Sequence, residues 1–289
     1  MKIGVASVIT DQTISIEDYY RTCESLGYES AFIGEHAIIP VEHVTPFPAG
    51  GAVPERYKRF PDPFVALAVA AAVTKTIKIG TCICLVPERH PLLLAKEVAS
   101  VDYFSGGRFI FGVGGGWFPE ESEIMGANFK RRWPQTVEYL KAARELWTKE
   151  EASFSGEFVK FPKVYCYPKP IQKPHPPIHI GAGGFNQSCT RALRNTVAIG
   201  DGWMPVYLPP DRLSKELATL RKMCEEAGRD FNKIEISVVV MDSRSADPKG
   251  MIAQYKEAGC HRLIFGDQIL PAGGEGQRKL EKIAQDFIK

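Results

Sequence analysis

Short apolar runs alternate with stretches whose apolar residues recur every three or four positions from one end of the 289-residue chain to the other. That alternation is the pattern of a parallel sheet with helical crossovers. Strands are predicted at Lys2–Val8, Ser30–Gly34, Ile77–Leu85, the run from Phe109 to Val113, Ile178–Gly181, Gly202–Val206, Ile234–Met241 and Arg262–Phe265. Helices are predicted at Ile16–Leu26, with Ser15 as N-cap and Gly27 as the stop, and at Pro63–Val73, Pro91–Phe104, Trp133–Trp147, Gln187–Arg194, Asp211–Ala227, Pro248–Ala258 and Gln277–Ile288. Eight of each in alternation predict one α/β domain closed as a (β/α)8 TIM barrel; the other arrangement of such a pattern is an open doubly wound sheet. The length fits either two domains or a single barrel, so it is the alternation that decides.

Two segments fall outside it. Ala37 to Asp62 is rich in Pro and Gly and lacks periodicity, which marks a long loop of the kind that carries function. Residues 150–176 are read as an insertion. Ser153 to Phe158 predicts a small hairpin, and the five prolines between Tyr167 and Pro177 predict a stiff connector.

Lys and Arg total 36 against 34 acids, and the net charge of +2 gives no electrostatic case for nucleic acid or a membrane surface as partner. The seven cysteines are scattered without a C-x-x-C pair, as expected of a reduced, cytoplasmic protein. The first ten residues read as a strand rather than a signal peptide, and no run approaches the ~20 apolar residues that span a bilayer.

In a barrel of this kind, function collects at the C-terminal ends of the strands. The fourth ends in Gly112-Val113-Gly114-Gly115-Gly116-Trp117, backbone stripped of side chains so that a flat ring or a phosphate can approach, or else a flexible turn. Pro119 follows too soon for a dinucleotide-binding fingerprint. Gly181-Ala182-Gly183-Gly184 is a second bare strand end, whose amides before a helix suit phosphate or form a tight turn. His36, after Glu35 at the end of the second strand, is placed to act as a general base or to hydrogen-bond a ring heteroatom, the bland reading being a surface histidine. Cys82 and Cys84, two apart on one strand, are expected to point the same way as buried, inert thiols. His175 and His179 are separated by prolines and form no metal pair, and no metal site is expected. Glu120 and Glu121 argue little for paired-carboxylate chemistry, because neighbours in sequence face different ways and no second acidic strand end accompanies them.

With these pieces assembled, the chain resembles the bacterial luciferase-like monooxygenase superfamily and, within it, the coenzyme F420-dependent oxidoreductases. The likeness runs through the segment from Gly27 to His36, Ile79-Gly80-Thr81, Arg89-His90-Pro91 with Ala95-Lys96, Ser105 to Phe109, Gly112 to Trp117, Pro168 to Pro174, and Gly200-Asp201-Gly202-Trp203. It implies a flavin or deazaflavin at the barrel mouth. A strand-three bulge with a non-prolyl cis peptide, matched to Cys82-Ile83, backs the cofactor ring, and the phosphate tail crosses Gly114, Gly115, Gly116 and Gly181, Ala182, Gly183, Gly184. Glu35, where many relatives have aspartate, and Thr81 complete the implied cofactor-binding set. His36 matches the proton-transfer histidine of some members. Trp117 replaces a glutamate of several deazaflavin dehydrogenases, and with Met204 and the long loop it is assigned to the substrate pocket. Lys130, Arg131 and Arg132 suit an anionic polyglutamate tail, or simply a solvated helix start. The implied activity is hydride transfer between coenzyme F420 and a small organic substrate. The alternatives are an FMN-dependent monooxygenase served by a separate reductase, and a non-catalytic flavin-binding protein. A homodimer is likewise implied by the resemblance.

Overall fold

A computed structural model describes residues 1–48, 50–184, 187–241 and 245–289, with Asp267 and Gln268 described in their backbone alone. Its main sheet is parallel and contains β1 (Lys2–Ser7), β2 (Ser30–Ile33), β3 (Lys78–Thr81), β4 (Cys84–Leu85), β5 (Phe109–Gly114), β8 (Ile178–Ile180), β9 (Gly202–Trp203), β10 (Glu235–Val240) and β11 (Arg262–Gln268). β11 pairs with β1, and Ile79 and Gly80 of β3 pair with Phe109 and Ile110 of β5. The sheet is thereby closed, so the predicted barrel stands and the open sheet is excluded.

The crossovers are α1 (Ile16–Leu26), α2 (Pro63–Val73), α3 (Pro91–Phe104), α5 (Arg132–Thr148), α6 (Thr190–Ile199), α7 (Pro210–Glu226) and α8 (Pro248–Glu257), with a short α4 (Pro119–Ile124) after β5 and α9 (Gly274–Phe287) following the last strand. Their starts and stops follow local chemistry. The Ser15 hydroxyl accepts from the Asp18 amide, Gly27 ends α1 at φ +84°, and the Asp62 carboxylate caps α2 by accepting from the Phe64 and Val65 amides. The hairpin is β6 (Glu151–Ser155) with β7 (Lys160–Tyr165), antiparallel as expected and longer than its sequence signal. The proline connector holds two cis prolyl bonds, at Tyr167–Pro168 and Lys173–Pro174.

Three expectations shift. The third barrel strand is not continuous, because pairing passes from β3 to β4 across Cys82 and Ile83, whose peptide bond is cis as the resemblance implies. Cys82 and Cys84 therefore do not face the same way. The break interrupts the two-residue alternation, leaving Cys82 against the inner cluster of Ala6, Phe32, Ile110, Met204, Val239 and Ile264, while Cys84 packs in the outer layer between barrel and helices. The helix after β8 begins at Thr190 rather than Gln187, so the Gly181–Gly184 amides do not form its N-terminus.

The N-terminal end of the barrel is closed by charge. Arg262 is wholly buried, donating to Glu29 and Ser237 and paired with Glu235, and His179 is buried beside them. Among the described residues, no helix is long and apolar enough to cross a membrane.

Candidate active site

The opposite end of the barrel is organised by β2. Its last residues deliver Glu35 and His36 to the mouth, and the two side chains do different work. Glu35 turns sideways: its carboxylate accepts from the Leu85 amide at 2.7 Å and from Arg89 Nε at 2.6 Å, pinning the broken third strand beside the second. Arg89 also pairs with Asp62 and Glu97, joining the α2 cap to α3. Glu35 is thus engaged with the scaffold.

His36 is buried, and its Nδ1 lies 2.5 Å from Oε2 of Glu121, a fully buried residue of α4. The other oxygen, Oε1, accepts from the Ala37 amide at 2.9 Å and more weakly from Ile38 at 3.4 Å. A carboxylate only accepts, so Nδ1 carries the hydrogen of this bond and Nε2 is left for exchange with a reactant. Glu120 grips the same loop further on, its Oε1 accepting from the amides of Val44 and Thr45 at 2.9 and 3.0 Å. Against the desolvation that would raise it, these donors bring the Glu120 carboxyl down to about 2. The two neighbours do face different ways, yet both hold the long loop.

Glu121 is the part of this arrangement least visible in the sequence. Its signal is an acid in the first turn of a helix opened by Pro119, immediately beyond a glycine-rich strand end.

An aromatic shell surrounds the imidazole. Ring centroids of Tyr57, Trp117 and Phe60 lie 5.3, 5.6 and 5.7 Å from that of His36. Phe47 packs edge-on against both Tyr57 and Trp117, and Trp117 stacks on Phe118 at 4.8 Å. Phe47, Tyr57, Phe60 and Trp117 remain partly exposed, so they form a wall rather than a sealed core. Three of the four come from the 37–62 loop. Met204 lies below them, fully buried in the inner cluster.

The remaining sequence-derived residues form the floor. Thr81 is buried and donates its hydroxyl to the Gly112 carbonyl at 2.6 Å. Cys82 and Ile83 are partly exposed, and the desolvating apolar packing around the Cys82 sulfur pushes its thiol up to about 12. The bareness of two glycines serves Ile83: a Cβ on Gly114 would sit 1.9 Å from its Cδ1, and one on Gly181 2.2 Å from its Cγ2. Gly115 faces Arg132 and Trp133, and the Gly116 carbonyl accepts from Arg132 Nε at 3.1 Å. Ala182 accepts from the Trp203 indole, Gly183 packs on Cys189, and Gly184 meets the Val206 backbone. Of the three basic residues that follow, Arg131 pairs with Glu157 and Arg132 lies over Phe129, while Lys130 stands beside them in the single 3₁₀ turn before α5. Among the described residues there is no cluster of His, Cys, Asp and Glu able to hold a metal ion.

A profile of the luciferase-like monooxygenase family matches residues 6–282. The chain belongs to that family. An uncharacterized protein of Mycobacterium tuberculosis is 35% identical over 269 residues, covering 92% of each chain. The FMNH2-dependent dimethylsulfone monooxygenase of Pseudomonas putida is 30% identical over 202 residues, covering 69% of this chain and 51% of that one. Among solved structures, an F420-dependent secondary alcohol dehydrogenase in complex with an F420-acetone adduct superimposes with a TM-score of 0.73 at 19% identity, covering 99% and 98% of the two chains. The family and its neighbours thus include both F420-dependent and FMN-dependent proteins.

Proposed function

We propose that this family member is a coenzyme F420-dependent oxidoreductase that moves a hydride between the deazaflavin and a small organic substrate, with His36 handling the accompanying proton. The observation that carries the reading is the buried His36–Glu121 pair at 2.5 Å, set at the mouth of the barrel under partly exposed aromatic rings. Converting a carbonyl to an alcohol, or the reverse, needs a proton at oxygen alongside the hydride at carbon. An imidazole whose Nδ1 is fixed by a carboxylate can give or take that proton at Nε2. Because Trp117 occupies the position where several dehydrogenases carry an acid, His36 is the proton-handling side chain of this mouth.

The residues present fit an extended aromatic cofactor. Cys82 and Ile83 offer a partly exposed apolar floor, Trp117, Phe47, Tyr57 and Phe60 a wall, and Arg132 beside Gly116 a cation for an anionic tail. When bound, a deazaflavin supplies obligate hydride transfer at its C5 position. The protein contributes orientation, exclusion of water by the 37–62 loop, and the proton at His36.

A second reading, an FMN-dependent monooxygenase, draws on the 30% identity to the dimethylsulfone monooxygenase. Paired fluorescence titrations of one cofactor-free preparation with coenzyme F420 and with FMN separate the two. Selective F420 binding is expected, and selective FMN binding would replace the first reading by the second.

A further inference from the structure

One buried acid at the mouth is left unused by the reading above. Glu88 closes the 3₁₀ turn Val86–Glu88 that follows β4 and is 6% exposed. Its Oε1 accepts from the Ser122 hydroxyl at 2.5 Å, and Ser122 is the residue after Glu121 on α4. Its Oε2 is buried and, among the described residues, has no partner. Gln135 of α5, which packs over the same turn by donating Nε2 to the Pro87 carbonyl, likewise has its Oε1 buried without a partner. The corner therefore holds two buried acceptor oxygens and lacks a donor for either.

The charged groups around Glu88 are Glu121 from α4, Glu35 from the end of β2, and its neighbour in the chain, Arg89; Ser122 and Gln135 complete its surroundings. Arg89 is already shared among Glu35, Asp62 and Glu97. Two buried carboxyls so placed do not both ionise at small cost, and the one with more donors keeps the charge. Glu121 is met by the His36 ring and two backbone amides, whereas Glu88 has one hydroxyl.

We propose that Glu88 is a positioning residue for His36: it holds the proton of the Glu88–Glu121 pair, so that Glu121 stays anionic against the imidazole. Protonated, Glu88 adds no charge to the site and gains a hydrogen that this donor-poor corner otherwise lacks. Deprotonated, it places a second negative charge behind Glu121 and strengthens the hold on a charged imidazole, which slows release of the His36 proton. In agreement with this geometry, burial first and the Glu121 carboxylate second push the Glu88 carboxyl up to about 8.

The proposal rests on the role given to His36, but its test needs neither cofactor nor substrate. Infrared difference titration of the protein alone should show a protonated buried carboxyl lost near pH 8, absent in Glu88→Gln. The ring signals of His36, followed by NMR on histidine-labelled protein, should carry an inflection in the same range that vanishes in Glu88→Gln. Ser122→Ala, which removes the one donor, should move that inflection upward by half a unit or more. Loss of the carboxyl signal in the ordinary carboxylate range, or an inflection that survives Glu88→Gln, would overturn the proposal. Failure of coenzyme F420 to bind would sink the functional reading and leave these titrations standing.

Discussion

Replacing Glu121 by alanine and by glutamine separates what this side chain does for the fold from what it does for His36. It is fully buried and makes its contacts from both oxygens, to the His36 ring on one side and to the Ala37 and Ile38 amides on the other. Alanine removes every acceptor and leaves the buried Nδ1 without its partner, a loss of about 3 to 5 kcal/mol by the usual cost of breaking a buried hydrogen-bonded charge contact. Glutamine keeps the volume and an acceptor for Ala37, and its amide donates to Nδ1, so the stability loss should be about 1 to 2 kcal/mol. The second change reverses the polarity of the His36 bond. An Nδ1 that accepts forces the hydrogen onto Nε2, where the mouth needs an acceptor. Turnover should then fall roughly 10² to 10⁴-fold, the range ascribed to a positioned general base, while cofactor affinity holds. Urea unfolding followed by tryptophan fluorescence gives the stabilities, and single-turnover kinetics with the bound cofactor give the chemistry. Glu121→Ala within about 1 kcal/mol of wild type, or Glu121→Gln at wild-type turnover, would refute the reasoning.

Other perturbations probe neighbouring parts. Glu120→Ala frees the Val44 and Thr45 amides, and limited proteolysis should then cut the 37–62 loop faster while His36 keeps its Glu121 contact. Gly114→Ala drives a Cβ to 1.9 Å from Ile83 Cδ1 and should destabilise the protein by about 1 to 3 kcal/mol. Because Ile→Val deletes that same methyl, Ile83→Val in the Gly114→Ala background should recover stability, and simple additivity of the two losses in thermal unfolding would contradict this packing. His179 is buried with neither ring nitrogen hydrogen-bonded among the described residues, Glu235 standing 4.0 Å from Nε2, and burial, with the Arg262 charge second, depresses it to about 3. The unfolded chain therefore binds more protons between about 3 and the ordinary 6.5, so this residue's share of stability is present above 6.5 and is lost as pH falls through that window. His179→Leu should flatten the acid limb of a stability-versus-pH curve measured by urea midpoints.

The barrel was legible because each element is reported locally, as with Ser15 and Gly27 bracketing α1, or the unbroken apolar run of β5 that only a sheet covered on both sides can use. His36 was legible for a related reason: a titratable residue directly after a buried strand can scarcely avoid the mouth. What stayed hidden depends on contacts distant in sequence. Glu121 meets His36 across 85 positions, and Glu35 meets Leu85 across 50. Nothing in either local pattern says that Glu35 would turn to the scaffold while its neighbour turned to the site. The aromatic shell was hidden too, because Phe47, Tyr57 and Phe60 sit in a loop without periodicity. The glycines were seen, and the structure adds an internal use for two of them: the bareness of Gly114 and Gly181 admits Ile83, an internal side chain, at the place where sequence suggested a ring, a phosphate or a turn.

These placements divide the mouth into a fixed half and a carried half. Glu35 with Arg89 ties the end of β2 to β4, Thr81 ties β3 to β5, and their polar groups are taken up by the scaffold. The loop of residues 37–62 contributes three of the four rings of the wall and is held by two adjacent carboxylates of a six-residue helix. One of these, Glu121, also holds His36, so loop position and the histidine share a single anchor. A change that loosens the loop at Ala37 therefore also disturbs the hydrogen on Nδ1, whereas one that loosens it at Val44 does not. The wall can be loosened without touching His36 through the Glu120 half of the anchor, and not through the Glu121 half.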